Sequence, residues 1–363
     1  MAKRLLNTRI YRDDVSRVAD VEVDWDRLQG ADLVLSGASG MIGSFLVDVL
    51  MTRNLFCGMD CTIHGFARHL PALTTRFEEY AGHRNLHLFH RDLAMGPSDS
   101  LANLTNVSTN CFVIHAASNT HPVAYASDPI GTIITNVQGT NEMLDLAVRA
   151  QARRALFIST VEIYGENKGD VERFCESDLG YIDCNTMRAG YPESKRTGEA
   201  LCQAFREHQD LDVVIPRLPR VFGPTMKLTD SKAMSQFLLK AAAGEDIVLK
   251  SEGNQFYSYC YVADAASAIL TCLLHGQCGE AYNVADKSCD VSLKDLAHIV
   301  AGTVDRNVVF DLPSDIESRG FSPSTLAVMD GTKLENLGWK PLYSIGEGVE
   351  RTVAVLKEIM DAR

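Results

Sequence analysis

The chain has 363 residues, 46% of them hydrophobic and 23% charged, with a formal net charge of −12. This is a globular balance, and the acidic excess argues against chain-wide affinity for nucleic acid or an anionic membrane, though not against a small anionic ligand held by local charge. No apolar run reaches the length of a membrane span, and residues 1–26 are polar and charged, with no signal-peptide core, so a reduced, cytoplasmic setting is expected.

In residues 1–26, Val15, Val18 and Val21, with Leu28 just beyond, predict a helix or strand packed as an extension outside the main fold. Leu33-Val34-Leu35-Ser36 reads as a short buried strand, and residues 41–53 place Ile42, Phe45, Leu46, Val49 and Leu50 at helical spacing. Between them stands Gly37-Ala38-Ser39-Gly40-Met41-Ile42-Gly43. Strand, glycine turn and helix form the context that a dinucleotide-binding fingerprint requires. Gly37 allows the tight turn, Gly40 the approach of a pyrophosphate to the backbone, and Gly43 close packing of helix on strand. Ser39, Met41 and Ile42 complete the cradle, with the free N–H groups of the helix facing the phosphates.

Further strands are predicted at 62–67, 86–90, 112–115, 156–160 and 213–218, with helical runs between them. This is the rhythm of an α/β, Rossmann-type doubly wound parallel sheet. NAD users usually carry an acid at the end of the second strand; here Arg68 stands instead. It suits the 2′-phosphate of NADP, or it stacks on adenine or is solvated, so NAD and NADP both remain open. His83, His87 and His90 flank a strand in which the last two face opposite sides. Cys57 and Cys61 lack a second pair, so no metal site is expected. Of ten cysteines, Cys111, Cys202, Cys260 and Cys272 read as small buried hydrophobes.

The 156–160 run ends in Ser159 and Thr160 and continues into Val161-Glu162-Ile163-Tyr164-Gly165. Polar groups at the C-terminal end of a parallel strand lie where open α/β sheets bind ligands. In Tyr191-Pro192-Glu193-Ser194-Lys195, Tyr191 and Lys195 share one helix face. A free phenol titrates near pH 10, and bringing it to about 7 takes roughly 4 kcal/mol. A neighbouring ammonium and a cationic nicotinamide would supply this. After Pro224 the rhythm breaks into helices at 232–243 and 293–302 and a short strand at 247–250. Residues 27–218, returning at about 257–285, are expected to form the dinucleotide-binding domain. Residues 219–256 and 286–363 would form a smaller α/β substrate-binding lobe.

Taken in order, the glycine turn, Val113-Ile114-His115-Ala116-Ala117, Asn136-Val137-Gln138-Gly139-Thr140-Asn141, Ile158-Ser159-Thr160, Tyr191 with Lys195, Val221-Phe222-Gly223-Pro224, Tyr261-Val262-Ala263-Asp264, Tyr282-Asn283-Val284 and Leu337-Gly338-Trp339 span nearly the whole chain. The series resembles the extended short-chain dehydrogenase/reductase superfamily, in particular its NAD-dependent epimerases, dehydratases and decarboxylases of nucleotide sugars. The resemblance implies cofactor contacts from Asp92, Leu93, Ala116, Ala117, Ser118 and Asn136. It also makes Thr160 the catalytic hydroxyl beside Tyr191 and Lys195. Sugar 4,6-dehydratases carry Asp then Glu after that hydroxyl; here Val161 cannot donate a proton and Glu162 remains. The pattern of Thr, a small residue and Glu, together with Arg188-Ala189-Gly190-Tyr191, resembles the UDP-glucuronate decarboxylases most closely, with dTDP-glucose 4,6-dehydratases next. Two positions depart from the family. Arg220 stands where an Asn usually contacts the sugar nucleotide, and Tyr257 where an Arg usually grips the diphosphate. Arg220, helped by Lys232, would hold the anion from another side, or else it is an ion-paired structural residue.

The expected activity is transient oxidation of a sugar hydroxyl, followed by decarboxylation, epimerisation or dehydration, with decarboxylation favoured. A carbonyl reductase using NADPH, or a non-catalytic redox-sensing protein that binds NAD(P), is the alternative. The resemblance further implies a homodimer through helices at 136–149 and 191–208, on which Met143, Leu144, Leu146, Ala147, Leu201 and Phe205 exceed a single core-facing stripe.

Overall fold

The computed structural model describes residues 5–95, 108–119, 128–311 and 325–362. Seven strands come first: β1 (Asp32–Ser36), β2 (Thr62–Ala67), β3 (Leu86–His90), β4 (Cys111–His115), β5 (Arg154–Phe157), β6 (Ser159–Thr160) and β7 (Val213–Leu218). Beyond them lie β8 (Arg220–Phe222), β9 (Ile247–Leu249), β10 (Phe256–Tyr261), β11 (Ala281–Asn283), β12 (Asp290–Ser292), β13 (Val308–Phe310) and β14 (Leu326–Ala327). The main sheet runs β11-β7-β5-β4-β1-β2-β3, with β6 beside β7, and its pairings are all parallel. β4, β5 and β7 are buried along their whole length, as expected when helices cover both faces of a parallel sheet. The strand order turns back between β1 and β4, and ligands bind at the carboxyl ends of strands at such a switch point.

β10 does not join this sheet. It pairs in parallel with β8 and β14 and antiparallel with β12, and β9 pairs with β13. The strand expected at 156–160 is interrupted at Ile158, between β5 and β6. Helix α2 (Met41–Cys57) runs past the expected residue 53 to a left-handed Gly58 at φ 65°. Among the described residues no helix is long and apolar enough to cross a membrane. Cys111, Cys202, Cys260 and Cys272 are buried.

The N-terminal extension forms α1 (Arg9–Ala19), which buries Tyr11, Asp14, Val15, Val18 and Ala19. It lies against α2, whose residues Gly43 to Met51 are all buried. A helix enclosed on more than one face needs no polar stripe. Two carboxylates hold α1 in place. Asp48 of α2 accepts from the Tyr11 hydroxyl at 2.5 Å and the Tyr80 hydroxyl at 3.2 Å. It also pairs with Arg76, at the end of α3 (Leu70–Arg76). Asp14 accepts from the Tyr261 hydroxyl at 2.6 Å and from Arg351 in the C-terminal helix Ile345–Asp361. One short helix thereby joins α2 to the helix Ile345–Asp361.

Removing one partner of a buried ion pair typically costs about 3–5 kcal/mol, because the other charge is stranded. Asp48→Ala is therefore expected to lower the unfolding free energy by about that much in urea titrations. A loss below about 1 kcal/mol would mean that the network holds no more than a surface pair does.

Candidate active site

The site lies where β1 and β4 end. Gly37 leaves β1 at φ 73°, and a Cβ there would stand 2.8 Å from the backbone of Ala116 and Ala117. A Cβ on Gly43 would stand 2.3 Å from the Gly37 carbonyl oxygen. Helix α2 therefore starts directly against the turn. Its N-cap, Gly40, places no side chain over the first-turn N–H groups. An uncapped helix start beside a glycine turn fits the pyrophosphate of a dinucleotide; Ser39, Met41 and Ile42 belong to this stretch.

Ser36 fixes the opposite wall. Its Oγ accepts the N–H groups of Ala116 at 3.1 Å and Ala117 at 3.2 Å, and contacts His115 Nδ1 at 2.7 Å. With its lone pairs taken by backbone, Ser36 donates to His115, which leaves the proton of a neutral ring on Nε2. Burial, with a contribution from the Lys195 charge, pushes the His115 pKa down to about 3, so the ring stays neutral.

The next residue of this wall, Ser118, reaches the tyrosine. Ser118 Oγ donates to Asn136 Oδ1 at 2.7 Å, Asn136 Nδ2 donates to Ser194 Oγ at 2.8 Å, and Ser194 Oγ donates to the Tyr191 carbonyl at 2.8 Å. This series ties α4 (Pro129–Arg149) to α5 (Gly190–Gln209). Tyr191 is buried near the start of α5, with Thr160 and Ser118 close enough to act on its hydroxyl. The structure thus gathers Ser118, Thr160 and Tyr191 at one point.

The sequence suggested a phenol drawn down by Lys195; the described geometry runs the other way. Burial and the Glu162 charge raise the Tyr191 pKa, while Thr160 and Ser118 oppose them. Lys195 Nζ is turned to the Ile158 carbonyl at 2.8 Å and lies 4.7 Å from the centre of the Phe157 ring. The break between β5 and β6 is what frees that carbonyl for the ammonium.

Across the site, Glu162 stands 3.7 Å from Arg220, whose guanidinium lies 3.4 Å from the centre of the Tyr257 ring. The Arg188 charge also acts on Tyr257. The two family departures, Arg220 and Tyr257, are therefore one stacked unit on the paired strands β8 and β10. Lys232 has its ion pair with Asp230, at 3.6 Å. On the cofactor side, Arg68 donates to Asn119 Oδ1 at 2.9 Å. Asp92 accepts from the Ala94 N–H at 3.0 Å, and Leu93 packs where a Cβ on Gly139 would be 3.0 Å away. Among the described residues no three His, Cys, Asp or Glu side chains are grouped to hold a metal ion.

The profile of the NAD dependent epimerase/dehydratase family matches residues 33–285. The chain belongs to that family. It is 26% identical over 329 residues to UDP-glucuronic acid decarboxylase 1 of Xenopus tropicalis, covering 91% of this chain and 73% of that protein. It is 30% identical over 324 residues to UDP-glucuronic acid decarboxylase 5 of Arabidopsis thaliana, covering 87% and 86%. Among solved structures, UDP-glucuronic acid 4-epimerase of Bacillus cereus in complex with UDP-glucuronic acid and NAD aligns at TM-score 0.75 and 18% identity, over 90% of this chain and 99% of that one. A dTDP-glucose 4,6-dehydratase of Streptomyces venezuelae with NAD bound aligns at TM-score 0.75 and 23% identity, over 91% and 98%. At these identities the structural likeness establishes the fold alone, an α/β Rossmann-type sheet.

Proposed function

We propose that this family member modifies a nucleotide-activated sugar by transient oxidation of a ring hydroxyl followed by decarboxylation, with NAD as cofactor. The observation that carries the reading is the convergence of Thr160, Ser118 and Tyr191 beside the glycine turn, with Glu162 close enough to act on the phenol. The curated relatives, named as UDP-glucuronic acid decarboxylases, support the choice among reactions.

Gly37, Ser39, Gly40, Met41, Ile42 and Gly43 would hold the pyrophosphate, with Ala116, Ala117, Ser118 and Asn136 along the opposite wall. Arg68, Asp92 and Leu93 would flank the adenosine end. Arg68 also fits a 2′-phosphate, so NADP binding belongs in the same titration. A nicotinamide held there would supply reversible hydride transfer at the sugar carbon. Thr160 holds the hydroxyl and Tyr191 removes its proton as the bond to hydrogen breaks, with Lys195 as the cation of the pair. The ketone so formed stabilises negative charge at the neighbouring carbon, where loss of a carboxylate as carbon dioxide becomes feasible. Glu162 holds or relays a proton at that carbon. Arg220, stacked on Tyr257, supplies positive charge for the anionic substrate, with Arg188, whose charge also acts on Tyr257, and Lys232 as further cations. Residues 219–256 and 286–363 are the substrate lobe in this reading.

Tyr191→Phe is expected to lower turnover of UDP-glucuronate at least about 10²-fold while leaving NAD affinity within twofold by isothermal titration. Residual activity above a tenth of wild type would remove the proton-transfer role. In Glu162→Gln, single-turnover absorbance at 340 nm is expected to show reduced cofactor accumulating without pentose product. Unchanged turnover would make Glu162 structural and move the reading towards a simple epimerase or reductase.

The homodimer also belongs to this proposal. Met143, Leu144, Leu146 and Ala147 are buried within one chain, and Leu201 and Phe205 pack against the same cluster. Those six positions therefore need no partner. Exposed Ile130, Ile133 and Met187 remain near the starts of α4 and α5. Light scattering is expected to give twice the 39.9 kDa chain mass; the monomer mass at micromolar concentration would remove the dimer.

A further inference from the structure

The mechanism above needs Lys195 to be charged, yet it sits in one of the poorest places for a charge. It is buried on α5, with an aromatic ring on one side and, among the described residues, a single carbonyl as its hydrogen-bond acceptor. An ammonium without a counter-ion in such surroundings sheds its proton. Four residues further along the same helix, and so on the same face, is Glu199. No motif singled it out, but its carboxylate is among the most firmly held in the protein. Oε1 accepts from Ser159 Oγ and from Arg217 Nε at 3.1 Å, and Oε2 accepts from Arg217 Nη2 at 2.7 Å. Arg217 is locked in turn, donating to the Tyr164 hydroxyl at 2.9 Å and the Glu176 carbonyl at 2.7 Å.

We infer that Glu199, immobilised by Ser159 and Arg217 one helical turn behind Lys195, is the positioning residue whose negative charge keeps Lys195 protonated at neutral pH. This rests on the reading of Tyr191 and Lys195 as a proton-transfer pair. Glu199 touches neither substrate nor cofactor; it acts through Lys195.

The other groups around Lys195 cannot do this. His115, from β4, is neutral. The Cys202 thiol, further along α5, is pushed up by burial and carries no charge at neutral pH. Tyr191, on the same helix, is raised as well. Phe157 and the Ile158 carbonyl, from β5 and its end, carry none. Arg217 of β7 adds positive charge, but it is turned to Glu199 and Tyr164. The balance agrees: burial takes the Lys195 pKa down to about 8, and Glu199 is the largest influence opposing it. Ser159 adjoins Thr160, so the same hydrogen bond also ties the strand end bearing the catalytic hydroxyl to the helix bearing the tyrosine.

The test is a pH titration across pH 6–11 of the intact protein carrying carbon-13-labelled lysine, with the Lys195 Cε signal followed by NMR. The Cε shift distinguishes ammonium from amine without reagent access, so the curve reports the Lys195 midpoint without requiring turnover. In Glu199→Gln the midpoint is expected to fall by at least about one pH unit, tenfold in the proton equilibrium. The alkaline limb of kcat/KM should move down with it. Glu199→Asp, which keeps the charge, should restore most of the shift. If Glu199→Gln does not fold because Arg217 is stranded, the double variant Glu199→Gln/Arg217→Met is compared with Arg217→Met alone, and its midpoint should still be the lower. Equal midpoints in the Gln-bearing protein and its Glu199-bearing counterpart would overturn the inference. So would Glu199→Asp shifting as far as Glu199→Gln, which would mean that packing and not charge matters. If no nucleotide sugar is turned over, the proposed activity fails while the Lys195 titration still decides the role of Glu199.

Discussion

The close approach of two backbones at the ends of β1 and β4 is the constraint on which the rest depends. Gly37 can lie against Ala116 and Ala117 only because it lacks a Cβ. The gap is then closed by one hydroxyl: Ser36 Oγ accepts two N–H groups and contacts the buried His115. A hydroxyl with one proton and two lone pairs is fully used by that arrangement, so Ala116 and Ala117 are fixed where the loop begins. Ser118 sits on that loop, and through it the phenol of Tyr191 is located relative to the glycine turn. A shift at Ser36 would be carried to the proposed proton-transfer group along covalent bonds and three short hydrogen bonds.

Charge in this site is set first by burial. Tyr191, Lys195 and His115 are all buried, and burial pushes each towards its neutral form. The ionised groups at the rim, Glu162 with Arg220, keep more solvent. The interior is therefore a place where one added charge has a large effect. This suits a reaction in which the nicotinamide ring changes charge as hydride is taken and returned.

Much of this was legible in the sequence, and the limits have a physical cause. Strand runs, the glycine turn and the Tyr191/Lys195 pair are local patterns, set by periodicities of about two or 3.6 residues. The strand at 62–67 and the helix at 293–302 appear where periodicity placed them. The contacts between Ser36 and His115, Glu199 and Arg217, or Asp14 and Arg351 leave no such trace, because their partners lie far apart along the chain. Lys195 illustrates the boundary. Its place on the helix was readable, but its turn towards Ile158 follows from a break in a ladder that the apolar run 155–158 conceals. Arg220 and Tyr257 looked like two separate departures from the family and became one feature only when β8 was seen to lie beside β10.

The two anchors of α1 differ in how far they reach along the chain. Tyr11 meets Asp48 across 37 residues, while Asp14 meets Arg351 across 337. Closing a longer loop costs more conformational entropy, and contacts between distant residues slow folding more than local ones. The Asp48 anchor can form within one local segment, whereas the Asp14 anchor needs most of the fold in place. One helix thereby joins an early local contact to a late global one.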